Sequence, residues 1–193
     1  MNTWIILLRG VNVGGNNKLP MKDLRGALEA DGFEEVRTYI QSGNIVLRSA
    51  LESPEAVGEA VTSLIERTFG FAPQSHVKSI TDFAAAIETN PFGKQGRKDP
   101  KTVHFFFLAE APGIQADLDA IYDLSSETER FEPKDDVFYL FAPDGIGRSK
   151  LVDRIEKWIP VPMTARNMRS VLAIADLAGI GSTSAAAQAG SVI

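Results

Sequence analysis

EVRTYIQSGNIVLRS, residues 35–49, decides how this chain folds. EVRTYI (35–40) and NIVLRS (44–49) are rich in the β-branched and aromatic residues that favour extended chain. Gln41, Ser42 and Gly43 join them through a tight turn, so the stretch reads as a β-hairpin. Upstream lie a strand, TWIILL (3–8), and a helix, PMKDLRGALEAD (20–31). In that helix Leu24, Ala27 and Leu28 recur at helical spacing, Pro20 suits the first turn, and Gly32 ends it. A helix followed by a hairpin excludes the strand–helix–parallel strand unit of doubly wound sheets. Downstream, SPEAVGEAVTSLIERTFG (53–70) is a helix capped by Ser53, started by Pro54 and ended by Gly70, and QSHVKSI (74–80) is a last strand. The order βαββαβ is that of the ferredoxin-like fold.

The same order returns in the second half. TDFAAAIETN (81–90) reads as a helix and PFGKQGRKDPK (91–101) as a polar loop, the best internal boundary. TVHFFFLA (102–109) is a strand, PGIQADLDAIYDL (112–124) a helix, TERFEPKDDVFYLFAP (128–143) a hairpin and SKLVDRIEKWI (149–159) a helix. PVPMT (160–164) reads as a short edge strand and ARNMRSVLAIADLA (165–178) as an additional C-terminal helix. The expected class is α+β, a tandem pair of ferredoxin-like units with antiparallel or mixed sheets. The first unit covers 1–80, the connecting helix and loop 81–101, the second unit with the C-terminal helix 102–178, and a flexible tail 179–193.

Composition narrows the function classes. Hydrophobic residues make up 44% of the 193 and charged residues 23%, the balance of an ordinary packed domain. No apolar run approaches the roughly 20 residues of a membrane span, and the N-terminus lacks the basic start of a signal peptide. A cytoplasmic protein without a membrane partner is expected. There are no cysteines, which excludes disulfides, thiol nucleophiles and thiolate metal sites. The net charge of −5 weighs against a duplex nucleic-acid partner.

RGVNVGGNNKLP (9–20) invites comparison with a phosphate-binding loop. Gly10 and Gly15 have the separation of the two glycines in G-x-x-x-x-G-K-[ST], but Asn16 stands where the lysine must be, and Lys18 arrives two residues late. Asn12 likewise breaks the dinucleotide pattern G-x-G-x-x-G. It is not a nucleotide fingerprint. Two readings remain: a loop that uses Gly and Asn for positive φ, or an anion nest at Gly14–Gly15 with Arg9, Asn12 and Lys18 as donors. In a βαββαβ unit the first two strands run the same way, so this loop and the 41–44 turn share one end of the sheet. Ser42 and Asn44 therefore join the first candidate cluster.

A second cluster lies in APDGIGRSKL (142–151). Ser149 can cap the helix that follows, while Arg148 and Lys150 put positive charge at a positive helix end, which an anion would compensate. Thr164, Arg166 and Asn167 repeat the pattern at the next expected helix start. Catalytic signals are thin: His104 lies in an apolar strand, His76 in an apparent edge strand, and the sequence offers no obvious activating base for Ser42 or Ser149. No cofactor is called for, and no spacing suggests a metal.

LLRGVNVGGNNKLPM, YIQSGNIVL, GIGRSKL and TARNMRSV together resemble the mainly bacterial family called domain of unknown function 1697. The resemblance extends to about residue 178. It implies an α+β fold of two ferredoxin-like repeats, and no substrate or cofactor. The family usually carries an aromatic residue after the Arg-Asn of its last motif, where this chain has Met168. The sequence therefore points to a small anionic ligand, phosphorylated or carboxylated, at the two clusters, with Arg9, Asn12, Lys18, Ser42 and Asn44 as one wall and Arg148, Ser149, Lys150, Arg166 and Asn167 as another. The alternatives are single-stranded nucleic-acid binding, which needs exposed rings on a sheet face, or a protein-interaction module without catalysis. Oligomeric state is not legible.

Overall fold

A computed structural model describes residues 1–111 and 117–181. It resolves into two units, Met1–Glu88 with the chain from Leu172 on, and Thr89–Val171. The first contains β1 (Asn2–Leu8), α1 (Met21–Ala30), β2 (Glu34–Tyr39), β3 (Asn44–Ser49), α2 (Pro54–Phe69), β4 (Ser75–Ser79) and α3 (Ile80–Glu88). Its strands form one antiparallel sheet in the order β2-β3-β1-β4. Trp4, Ile6 and Leu8 of β1 and Ile45 and Leu47 of β3 face α1 and α2, whose Leu24, Leu28, Val57, Val61, Leu64 and Ile65 complete the core. The alternate residues Ile5, Leu7 and Val46 are buried too, which is why the central strands read as unbroken apolar runs. The α2 helix has the expected ends: Ser53 Oγ accepts from Ala56 N at 3.1 Å, and Gly70 closes it at φ 81°.

The second unit contains α4 (Gly93–Lys98), β5 (Val103–Leu108), α5 (Leu118–Leu124), β6 (Arg130–Lys134), β7 (Val137–Phe141), α6 (Lys150–Trp158) and β8 (Met163–Asn167). Its sheet is again antiparallel, in the order β6-β7-β5-β8. Phe106 and Leu108 of β5, Phe138 and Leu140 of β7 and Met163 of β8 pack on Ile121 of α5 and Leu151 and Ile155 of α6. The last helix, α7 (Met168–Leu177), leads from this unit into the first. There Arg37 Nη1 donates to Leu177 O at 2.9 Å, so the C-terminal helix is shared and does not belong wholly to the second half.

Five expectations need correction or a boundary. PFGKQGRKDPK is not all loop. It contains α4, stabilised by Phe92 stacking on Phe141 at 6.1 Å and by Met168 Sδ lying against Gly96. PVPMT is not the last strand either: its prolines precede β8, which runs to Asn167 in register with β5, from Met163↔Leu108 to Asn167↔His104. The helix expected from residue 165 starts instead at Met168, with Asn167 Oδ1 accepting from Ser170 N at 3.0 Å. Residues 112–116 of the expected helix 112–124, and residues 182–193 of the tail, lie outside the described residues.

Candidate functional site

The glycine-rich loop after β1 is itself a small hairpin. Asn16 N donates to Val13 O and Asn12 N to Asn17 O, both at 3.1 Å. Gly14 and Gly15 at its tip have φ of 59° and 81°, the left-handed pair that a type I′ turn requires. The amide of Asn16 is therefore engaged by the hairpin itself, as expected of a loop that needs glycine for its geometry. The expected meeting of this loop with the 41–44 turn is present: Leu8 N donates to Gly43 O at 2.8 Å.

Asn12 joins the two loops. Its Nδ2 donates to Leu19 O at 2.8 Å and to Gln41 O at 2.7 Å, and its Oδ1 accepts from Leu19 N at 2.8 Å. Both amide hydrogens are occupied. Asn44 is similar: 1% exposed, it donates to Tyr39 O at 3.0 Å and Ser42 Oγ at 2.9 Å. Arg9 Nη1 reaches Gln74 Oε1 at 3.2 Å, and Lys18 is exposed. In this cluster the two asparagines hold the loops in shape with the same donors that were candidates for a ligand.

The second cluster divides. A single 3-10 turn, Ile146–Arg148, leads into α6, and Ser149 caps that helix with Oγ accepting from Val152 N at 3.2 Å. Arg148, Ser149 and Lys150 line a cavity of about 410 Å³, within the range of small-ligand sites. Asp123, Glu129 and Asp144 line it as well. Arg148 and Lys150 form no ion pair with any of the described residues. Asp144 Oδ2 accepts from Thr128 Oγ1 at 2.7 Å, and Glu129, 6% exposed, accepts from Ser126 N at 2.9 Å. These carboxylates were not among the candidates picked from sequence. The Ser126-x-x-Glu129 spacing of a reciprocal cap was the available sign of Glu129.

Arg166 and Asn167 do not line this cavity. Because β8 extends through both, period-two alternation places Ala165 with the α6 core and Arg166 on the opposite face, in register with Phe105. Arg166 is 8% exposed and donates to Thr164 Oγ1 at 2.9 Å and Ala165 O at 2.8 Å, and burial pushes its guanidinium down to about 10. Asn167 caps α7. His104 is buried in the same sheet with no hydrogen-bond partner for Nε2 among the described residues, and burial holds its pKa below the ordinary histidine value. Glu35 sits at a β-bulge and pairs with Arg48 at 2.9 Å and Arg37 at 3.0 Å. The hydrogen bond from Arg48 keeps its carboxyl below the ordinary glutamate value.

The rings of Phe105, Phe106, Phe107, Phe138 and Tyr139 are buried, while Phe141 at the end of β7 is half-buried and stacks on Phe92. Among the described residues no group of three or more His, Asp or Glu side chains is gathered to hold a metal, and no helix is long and apolar enough to cross a membrane.

A family model described as Protein of unknown function (DUF1697) matches residues 1–139. The chain belongs to that family. The match takes in the glycine-rich loop and YIQSGNIVL, whereas GIGRSKL and TARNMRSV lie beyond it. A solved structure of a conserved bacterial protein from Streptococcus pneumoniae is similar, with a TM-score of 0.64 and 25% identity over 92% of this chain and 98% of that one. No curated protein matches. The position after Arg-Asn, aromatic in the family pattern, is here a buried methionine whose sulfur receives Asn90 Nδ2 at 3.7 Å.

Proposed function

We propose that this protein binds a small ligand through an anionic group, phosphate or carboxylate, in the cavity at the N-terminus of α6. The observation that supports it is the pair Arg148 and Lys150. They flank the capped start of a nine-residue helix, line a cavity of small-ligand size, and form no ion pair with any of the described residues. The helix dipole opposes both cations by about 0.3–1 kcal/mol each, and the first amides of α6 have no intrahelical acceptor. An anion reverses the sign of the first effect and satisfies the second. In this reading the first cluster is scaffold, because Asn12 and Asn44 direct their amides to backbone and hydroxyl oxygens within it. The repeated strand order, 2-3-1-4 in each sheet, supports reading both units as ferredoxin-like.

Thermal denaturation with inorganic phosphate, acetate and citrate tests the site. A ligand at 100 times its dissociation constant stabilises by about 2.7 kcal/mol. The stabilisation is expected in the wild type and in Lys18→Gln, and to be lost in Arg148→Gln and Lys150→Gln. Equal stabilisation in all four proteins would show that the anions act elsewhere, and none in any of them would remove the reading.

A further inference from the structure

The cavity in the second unit has a negative side that a simple anion would not need. Three of the five charged side chains that line it are carboxylates, Asp123, Glu129 and Asp144, against the two cations Arg148 and Lys150. None of the five pairs with a charge of opposite sign among the described residues. Opposite charges sharing one cavity without contact leave two separate poles. Glu129 is the informative member. Its side chain is more than nine-tenths buried, yet its carboxylate takes a single hydrogen bond, from Ser126 N, and its other oxygen has no donor among the described residues. The free oxygen of this carboxylate can accept from a donor that enters the cavity.

Resting on the proposed anion site, we infer that its ligand is zwitterionic: an anionic group at Arg148, Lys150 and the start of α6, joined by a short linker to an ammonium that faces Glu129, Asp123 and Asp144. Aminoalkyl phosphates and amino acids share this chemistry. The two classes differ in charge and in the number of acceptor oxygens at the anionic end.

Titration calorimetry with matched probes separates the possibilities. O-phosphoethanolamine is compared with ethyl phosphate, which keeps the anion and lacks the ammonium, and β-alanine with propionate. The expected result is that at least one amine-bearing probe binds about tenfold or more tightly than its partner. That preference should disappear in Glu129→Gln and in Asp123→Asn. Asp123 is exposed, so its variant keeps the test valid if Glu129→Gln loosens the turn that Ser126 and Glu129 share. A preference confined to phosphoethanolamine assigns the aminoalkyl phosphate class, and one confined to β-alanine the amino-acid class. If ethyl phosphate or propionate binds as tightly as its amine-bearing partner, the zwitterion inference is overturned and the anion site stands. If no probe binds, both are overturned.

Discussion

Gly43 is the residue whose replacement should most sharply test the packing of the first unit. It sits at φ 72°, and a Cβ placed on it would lie 2.6 Å from Val11 Cγ2 and 2.7 Å from Leu8 Cβ. The left-handed backbone alone costs an alanine about 1 kcal/mol. The contact adds more, because Leu8 Cβ is fixed to the backbone of β1 and cannot rotate away, and overpacking of this kind costs about 1–3 kcal/mol. Gly43→Ala is therefore expected to destabilise the unit by about 2–4 kcal/mol. Gly10→Ala is the control: its φ is 68°, yet nothing lies within 4 Å of the added atom, so it should lose only about 1 kcal/mol.

Each unit carries one of the two tryptophans, Trp4 in the first and Trp158 in the second. In a Trp158→Phe background, urea unfolding followed by fluorescence reports on the buried Trp4 and so on the first unit. With a slope of roughly 1–2 kcal/mol per molar urea, Gly43→Ala should lower the midpoint by about 2 M and Gly10→Ala by about 0.5–1 M. Equal shifts for the two variants would refute the close-packing argument and leave φ as the whole effect.

Other outcomes follow from the same geometry. Asn12→Ala removes three hydrogen bonds and places alanine at φ 56°, so it should cost about 2–4 kcal/mol, seen as a lower thermal midpoint; an unchanged midpoint would mean the loops hold together without it. His104 has a folded-state pKa below 6.5, so the unfolded chain takes up the proton first. Its contribution is complete above about pH 6.5 and falls as the pH drops toward the lowered value, with a slope of at most about 1.4 kcal/mol per pH unit. Urea midpoints at pH 7.5 and 5.5 should therefore differ less in His104→Gln than in the wild type, with His76 present in both. For Arg166, burial lowers the guanidinium to about 10, a desolvation cost to the charged form of roughly 3 kcal/mol. Arg166→Met, which keeps the apolar stem, should be neutral or stabilising in chemical denaturation; a loss above about 2 kcal/mol would show that its hydrogen bonds outweigh its burial.

Element order was legible because it rests on local periodicity. TWIILL, the 35–49 hairpin and the capped helix 53–70 each carry their signals within one short window, and they appear within a residue or two of the expected places. The departures arose where a distant segment decides. TARN has no strong preference for helix or strand, so the ladder to β5, some sixty residues earlier, extends β8 to Asn167 and delays α7. GKQGRK looks like a loop by its glycines, yet Gly96 is the position where only hydrogen fits beneath Met168.

The candidate site divided for a related reason. Asn12 and Arg148 look equally available in the sequence, each a donor in a glycine-containing loop. The folded chain brings Leu19 and Gln41 carbonyls within 2.8 Å of the Asn12 amide and brings no carboxylate within ion-pair distance of Arg148 among the described residues. Residue type marks a group that is able to bind, whereas the fold determines whether its hydrogen bonds are already made within the protein. A donor left open beside a cavity is therefore a stronger indication of a site than a motif rich in donors, and on that criterion the weight moves from the conspicuous glycine-rich loop to the start of α6.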